Sequence, residues 1–180
     1  MPSLYLHPAN PIWQPAGHNS MLDALRDEGL IGPPTAGTDT DEFLAGDRFM
    51  ERVMFLGCSP QLVLEPSPAG DGQQLCYIRL HCYKEVRFLC SSQRPAVRCD
   101  SCRAPARLSD PELHDAVYRC EKCGRESLYS ALDWRQGAGF GRFFIEINGV
   151  YPHEAVPSDA LLNGLGALSN CRWKYFYMQD

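Results

Sequence analysis

Cys99-Asp100-Ser101-Cys102 and Cys120-Glu121-Lys122-Cys123 place four thiols in two Cys-x-x-Cys pairs separated by 17 residues. A two-residue gap lets both sulfurs of a pair converge on one ion, and two pairs complete the tetrahedron that soft thiolates offer Zn²⁺. Four sulfurs leave no open position, so the single Zn²⁺ expected here is structural and does no chemistry itself. Iron is the alternative metal for the same ligands. A redox dithiol is the metal-free alternative, but such a pair stands singly at a helix start, and here two stand in hairpin-like surroundings. Gly124 directly follows the second pair and tolerates the positive φ of a tight turn. Arg103 follows the first pair, so that turn must be less tight or mildly strained.

Together with Gly124, these cysteines make residues 97–127 resemble the zinc-ribbon group with rubredoxin-like knuckles. The resemblance covers about this segment alone. It implies structural zinc and no particular activity, because zinc ribbons occur in nucleic-acid enzymes, chaperones and adaptors alike. Arg98, Arg103, Arg119, Lys122 and Arg125 crowd the segment. Four thiolates and Zn²⁺ sum to two negative charges, which adjacent cations offset. RNA or DNA contact is the competing reading of those arginines. Stacking partners for bases are scarce there, with only Tyr118 and Tyr129 nearby.

Weaker constellations lie elsewhere. Cys58, in Gly57-Cys58-Ser59-Pro60, would be a nucleophile if His81 or His153 lay beside it; the default for a free cysteine is packing. His153 and Glu154 are adjacent and point apart on most backbones, so a loop histidine is expected there. His81, Cys82 and Cys90 would make a second metal site only if the two cysteines left the apolar alternation that contains them. Gly137-Ala138-Gly139-Phe140-Gly141 has the glycines of a phosphate cradle but precedes a strand, whereas such a loop follows one, so a flexible connector is expected. Trp173, Tyr175 and Tyr177 put three aromatics on one strand face, expected to be core. No catalytic constellation emerges.

The net charge of −5 is unevenly spread: −5 over residues 1–93, +1 over 94–127 and −1 over 128–180. No region carries the positive field that phosphate backbones require, so generic nucleic-acid binding is disfavoured. No stretch approaches the ~20 apolar residues of a membrane span, and Met1–Ser20 lacks the features of a signal peptide. Nine cysteines, four of them metal ligands, fit a reduced cytoplasmic compartment better than a disulfide framework.

The elements that must position these groups follow from periodicity. Residues 1–19 read as an irregular arm. Ser20 with Asp23 resembles a capping box opening a helix over Met21, Leu22 and Leu25 that ends near Gly29. Ile31–Thr40 reads as a loop, Asp41–Ala45 as a turn, and Arg48–Gly57 fits either strand or helix. Leu62–Leu64 is a short strand before a turn cluster, Pro66–Gly72. Leu75–Tyr83 alternates apolar residues, and Val86, Phe88 and Cys90 continue the pattern as a hairpin or one bent strand. Val97, Leu108, Val117 and Tyr118 suit two short hairpins in the cysteine segment. Phe143–Ile147 forms a strand, Ser158 caps a helix over Ala160–Leu168, and Trp173–Tyr177 forms the last strand. The expected fold is α+β, a mainly antiparallel sheet with two or three helices. Residues 1–93 and 128–180 form the core, and 94–127 form an inserted zinc-ribbon module. The expected protein is a cytosolic zinc-binding adaptor with a protein partner. The alternatives are a small enzyme using Cys58 or His153, and a nucleic-acid-binding ribbon.

Overall fold

The computed structural model describes residues 2–35, 41–56, 62–65, 75–91 and 95–179. In chain order the elements are β1 (Ser3–Pro8), α1 (His18–Asp27), β2 (Ile31–Pro34), β3 (Glu42–Ala45), α2 (Phe49–Arg52), β4 (Val53–Phe55), β5 (Ile78–Cys90), β6 (Val117–Arg119), β7 (Glu126–Leu128), β8 (Ala138–Asn148), β9 (Ala155–Pro157), α3 (Asp159–Ser169) and β10 (Trp173–Met178). Six strands form one antiparallel sheet in the order β10-β1-β8-β5-β3-β2. The fold is α+β with mostly antiparallel sheet. Among the described residues no helix is long and apolar enough to cross a membrane.

Alternation divides the sheet's faces. Leu4, Leu6, Ile145, Ile147, Ile78 and Leu80 point to one side, where Met21, Leu22 and Leu25 of α1 and Leu161 and Leu165 of α3 cover them. Ser158 caps α3 as expected, its Oγ accepting from the Leu161 amide at 3.2 Å. Trp173 and Tyr177 are buried in the same core. On the other side Tyr5, Phe144 and Phe176 form a second, aromatic layer.

Several expectations needed correction. The N-terminal arm is not irregular: β1 sits between β10 and β8 with all six residues buried. Both its faces are covered, so it lacks the apolar–polar alternation of a half-exposed strand. The expected capping box does not form. α1 begins earlier, with Gly17 at the N-cap, and Ser20 Oγ donates back to the Gly17 carbonyl at 2.8 Å. Ile31–Pro34 is an edge strand, where Pro33 and Pro34 forfeit few ladder bonds, and Glu42–Ala45 is its partner rather than a turn. Residues 48–55 hold both expected conformations in succession, one helical turn and then β4. Ile78–Cys90 is a single strand whose register shifts between Cys82 and Arg87.

From Ala138 onward the glycine-rich stretch is strand as well. A Cβ on Gly139 would stand 2.5 Å from Phe176 Cε1 and 2.7 Å from His7 Nε2. Glycine there lets two rings lie against the backbone, and β8 runs through the stretch unbroken. The turn cluster Pro66–Gly72 falls outside the described residues.

The cysteine segment docks at the far end of the sheet. Val97, Ala106, Leu108 and Tyr118 pack toward Tyr129, Leu132 and Trp134, together with Val86 and Phe88 of β5 and Phe140 of β8. One hairpin, β6–β7, carries the second cysteine pair. The first pair is flanked instead by isolated bridges from Arg98 to Pro105 and Asp133.

Candidate metal centre

The fold brings the sulfurs of Cys99, Cys102, Cys120 and Cys123 within 4.8 Å of one another. Cys99 Sγ lies 3.8 Å from Cys123 Sγ, and Cys102 Sγ lies 3.6 Å from Cys120 Sγ. A tetrahedron with metal–sulfur bonds of ~2.3 Å has edges of ~3.8 Å, so the donors fit a thiophilic ion. Four thiolates this close repel one another, and a dication at their centre removes that repulsion.

Local backbone geometry builds both halves alike. The Cys99 amide donates to the Ala104 carbonyl at 2.8 Å, and the Arg103 amide to the Cys99 carbonyl at 3.1 Å. In the second knuckle the Cys120 amide donates to the Arg125 carbonyl and the Gly124 amide to the Cys120 carbonyl, each at 2.8 Å. Arg103 has φ 60° and Gly124 φ 71°. The first turn is therefore as tight as the second, and its arginine bears the left-handed conformation that glycine adopts without cost.

The amides of Cys123 and Lys122 face the Cys120 sulfur and hold its thiol down to about 6. Cys99 and Cys120 are buried, Cys102 is half-buried and Cys123 is exposed. Two of the segment's cations are committed to carboxylates. Arg103 pairs with Asp133, and Arg125 Nε lies 3.2 Å from Asp100. Asp100 also accepts from Ser127 Oγ at 2.7 Å; that bond, with the Arg125 charge, holds its carboxyl below the usual range.

The other sequence candidates do not assemble into one site. Cys58 falls outside the described residues. His81 Nε2 lies 2.8 Å from Glu146 Oε2, and its ring stacks on Tyr5. His153 has φ 64° and packs on Tyr177, 5.2 Å between centroids. Tyr5 and Tyr177 project from opposite faces of the sheet, so the two histidines are not brought together.

Sequence reasoning missed the carboxylate at Glu146. It is buried on β8 and accepts from Ser3 Oγ at 2.8 Å. Burial alone would raise its pKa; hydrogen bonds from His81 and Ser3 outweigh burial and hold it down to about 2. An ionised carboxylate only accepts, so His81 carries its proton on Nε2. Tyr83 Oη lies 3.4 Å from the other ring nitrogen. A sequence signal existed: Phe144 shares the Glu146 face, and a large aromatic beside a charge marks a covered face rather than a wet one.

No family model, curated protein or solved structure matches this chain.

Proposed function

We propose that this chain is a zinc-binding interaction protein, in which a closed four-cysteine site orders residues 94–127 and that segment presents a surface to a protein partner. The observation carrying the reading is the near-tetrahedral convergence of four sulfurs from two matching knuckles. That donor set suits Zn²⁺, with Cys99, Cys102, Cys120 and Cys123 filling every position and leaving none for a substrate.

The surface itself supports a protein partner. Val117 of β6 and Leu128 of β7 are register partners, 60% and 47% exposed. A cross-strand apolar pair left open to solvent on a small hairpin is the kind of anchor protein interfaces use. Arg103 and Arg125 are each paired to an aspartate, so those two basic residues are accounted for without nucleic acid, and a protein partner is favoured.

Elemental analysis of the purified chain should find one zinc per chain, lost on Cys99→Ser. Val117→Asp with Leu128→Asp should keep the zinc and lose the partner that the unmodified chain captures. Iron in place of zinc, or capture unaffected by the double substitution, would overturn the corresponding half of the proposal.

A further inference from the structure

Between the metal-bearing segment and the sheet lies a cavity of about 390 Å³, within the range of small-molecule sites. Its walls come from parts of the chain far apart in sequence. Arg103, Asp133 and Arg135 line it together with His7, Arg172 and Lys174.

Charge in this cleft is out of balance. Asp133 is engaged by Arg103, and Asp100, which also lines the cavity, is engaged by Arg125 and Ser127. Among the described residues, Arg135, Arg172 and Lys174 make no ion pair. Three of the four basic residues beyond position 128 therefore converge on one cavity in a chain of net charge −5. Lys174 is half-buried on β10, opposite His7 in the register. Burial, reinforced by the Arg172 charge, lowers its pKa against the weaker pull of Asp100 and Asp133. A partly buried cation without a counter-ion is costly unless a ligand supplies the missing charge.

We infer that this cleft binds a small anion of two or more negative charges, with phosphate or clustered carboxylate groups held among Lys174, Arg172 and Arg135. The guanidinium forks suit either group, since both present paired oxygens.

The test is equilibrium dialysis and isothermal titration calorimetry of the full zinc-loaded chain with pyrophosphate and, separately, with citrate. One anion per chain should bind, more weakly as sodium chloride is added. Arg172→Gln and Arg135→Gln remove exposed side chains, so they probe the cleft without disturbing the core. Each should weaken binding about tenfold, the scale of one charge-assisted hydrogen bond. Lys84→Gln, exposed and outside the cleft, should change nothing. Binding of pyrophosphate alone assigns the site to phosphates, and binding of citrate alone to carboxylates. No binding of either at millimolar concentration, or binding indifferent to both arginine substitutions, would overturn the inference.

Discussion

Arg103 and Gly124 hold equivalent places in the two knuckles at φ 60° and 71°, and they differ only in what the backbone tolerates. A Cβ added at Gly124 meets no atom within 4 Å. Gly124→Ala should therefore cost only the left-handed conformation, about 1 kcal/mol. Gly124→Asn should cost less, because asparagine tolerates that region. Competition against a chromophoric chelator reads both as reduced metal affinity; an alanine variant that binds as tightly as the parent would refute the strained-turn account. His7 is a second residue with a measurable signature. Burial, with the charge of Lys174, lowers its pKa from 6.5 to about 4. The folded state thus resists protonation that the unfolded chain accepts. Stability is complete above about 6.5 and falls as the pH drops toward 4, by about 3 kcal/mol. Glu146 adds a second loss at lower pH, because its carboxylate is favoured in the folded state down to about 2. Urea midpoints measured against pH should show both limbs, and His7→Gln should erase the first alone. An unchanged limb between 6.5 and 4 would assign the acid sensitivity to other groups.

At the scale of elements, β8 carries the most consequence. It joins the helix-covered core to the docking site of the cysteine segment, and its two glycines mark where rings crowd the backbone. At Gly139 a Cβ would lie 2.5 Å from Phe176 Cε1; at Gly141 the nearest atom is 3.1 Å away, Phe144 Cζ. Gly139→Ala should cost about 1–3 kcal/mol as an overpacking change, and Gly141→Ala clearly less. Chemical denaturation ranks the two; equal costs would mean that Phe176 and His7 yield freely. β5 has a matching division. Its Ile78–Cys82 half pairs with the core end of β8, its Arg87–Cys90 half with the cysteine-segment end, and the register shift lies between them. That shift marks the place where the strand passes from one hydrophobic cluster to the other.

Across the whole molecule the two clusters differ in what holds them. The larger cluster gathers both long helices and the sheet, and needs no metal for its burial. The smaller one includes side chains from the segment that carries the four cysteines. Losing the metal should therefore spread selectively. In Cys120→Ser, amide exchange should accelerate over residues 95–128 and into Arg87–Cys90 of β5, while Ile78–Cys82, β1 and α3 stay protected. Uniform loss of protection would mean that the chain folds as one unit around the metal.

The sequence by itself singled out the four cysteines that the fold gathers, because the two sulfurs of each Cys-x-x-Cys pair are held close by local spacing. It also determined α3 with its Ser158 cap, the aromatic core of β10, and the strand alternation around Ile145. Periodicity failed at β1, where a strand buried on both faces shows none, and at Gly139, where glycine signals ring contact rather than a loop. The Glu146–Ser3 and Glu146–His81 bonds join residues 143 and 65 positions apart. Only the order β10-β1-β8-β5 makes them neighbours. The cleft is of the same kind: Arg172 and Lys174 share it with Arg103 and Arg135, and the turn before β8 that carries Arg135 lies against β10, where the Tyr177 amide donates to the Gln136 carbonyl at 2.9 Å. Spacing along the chain settles which atoms can share one ion. Which distant charges face one another is settled by strand order and packing, and that only the tertiary structure decided.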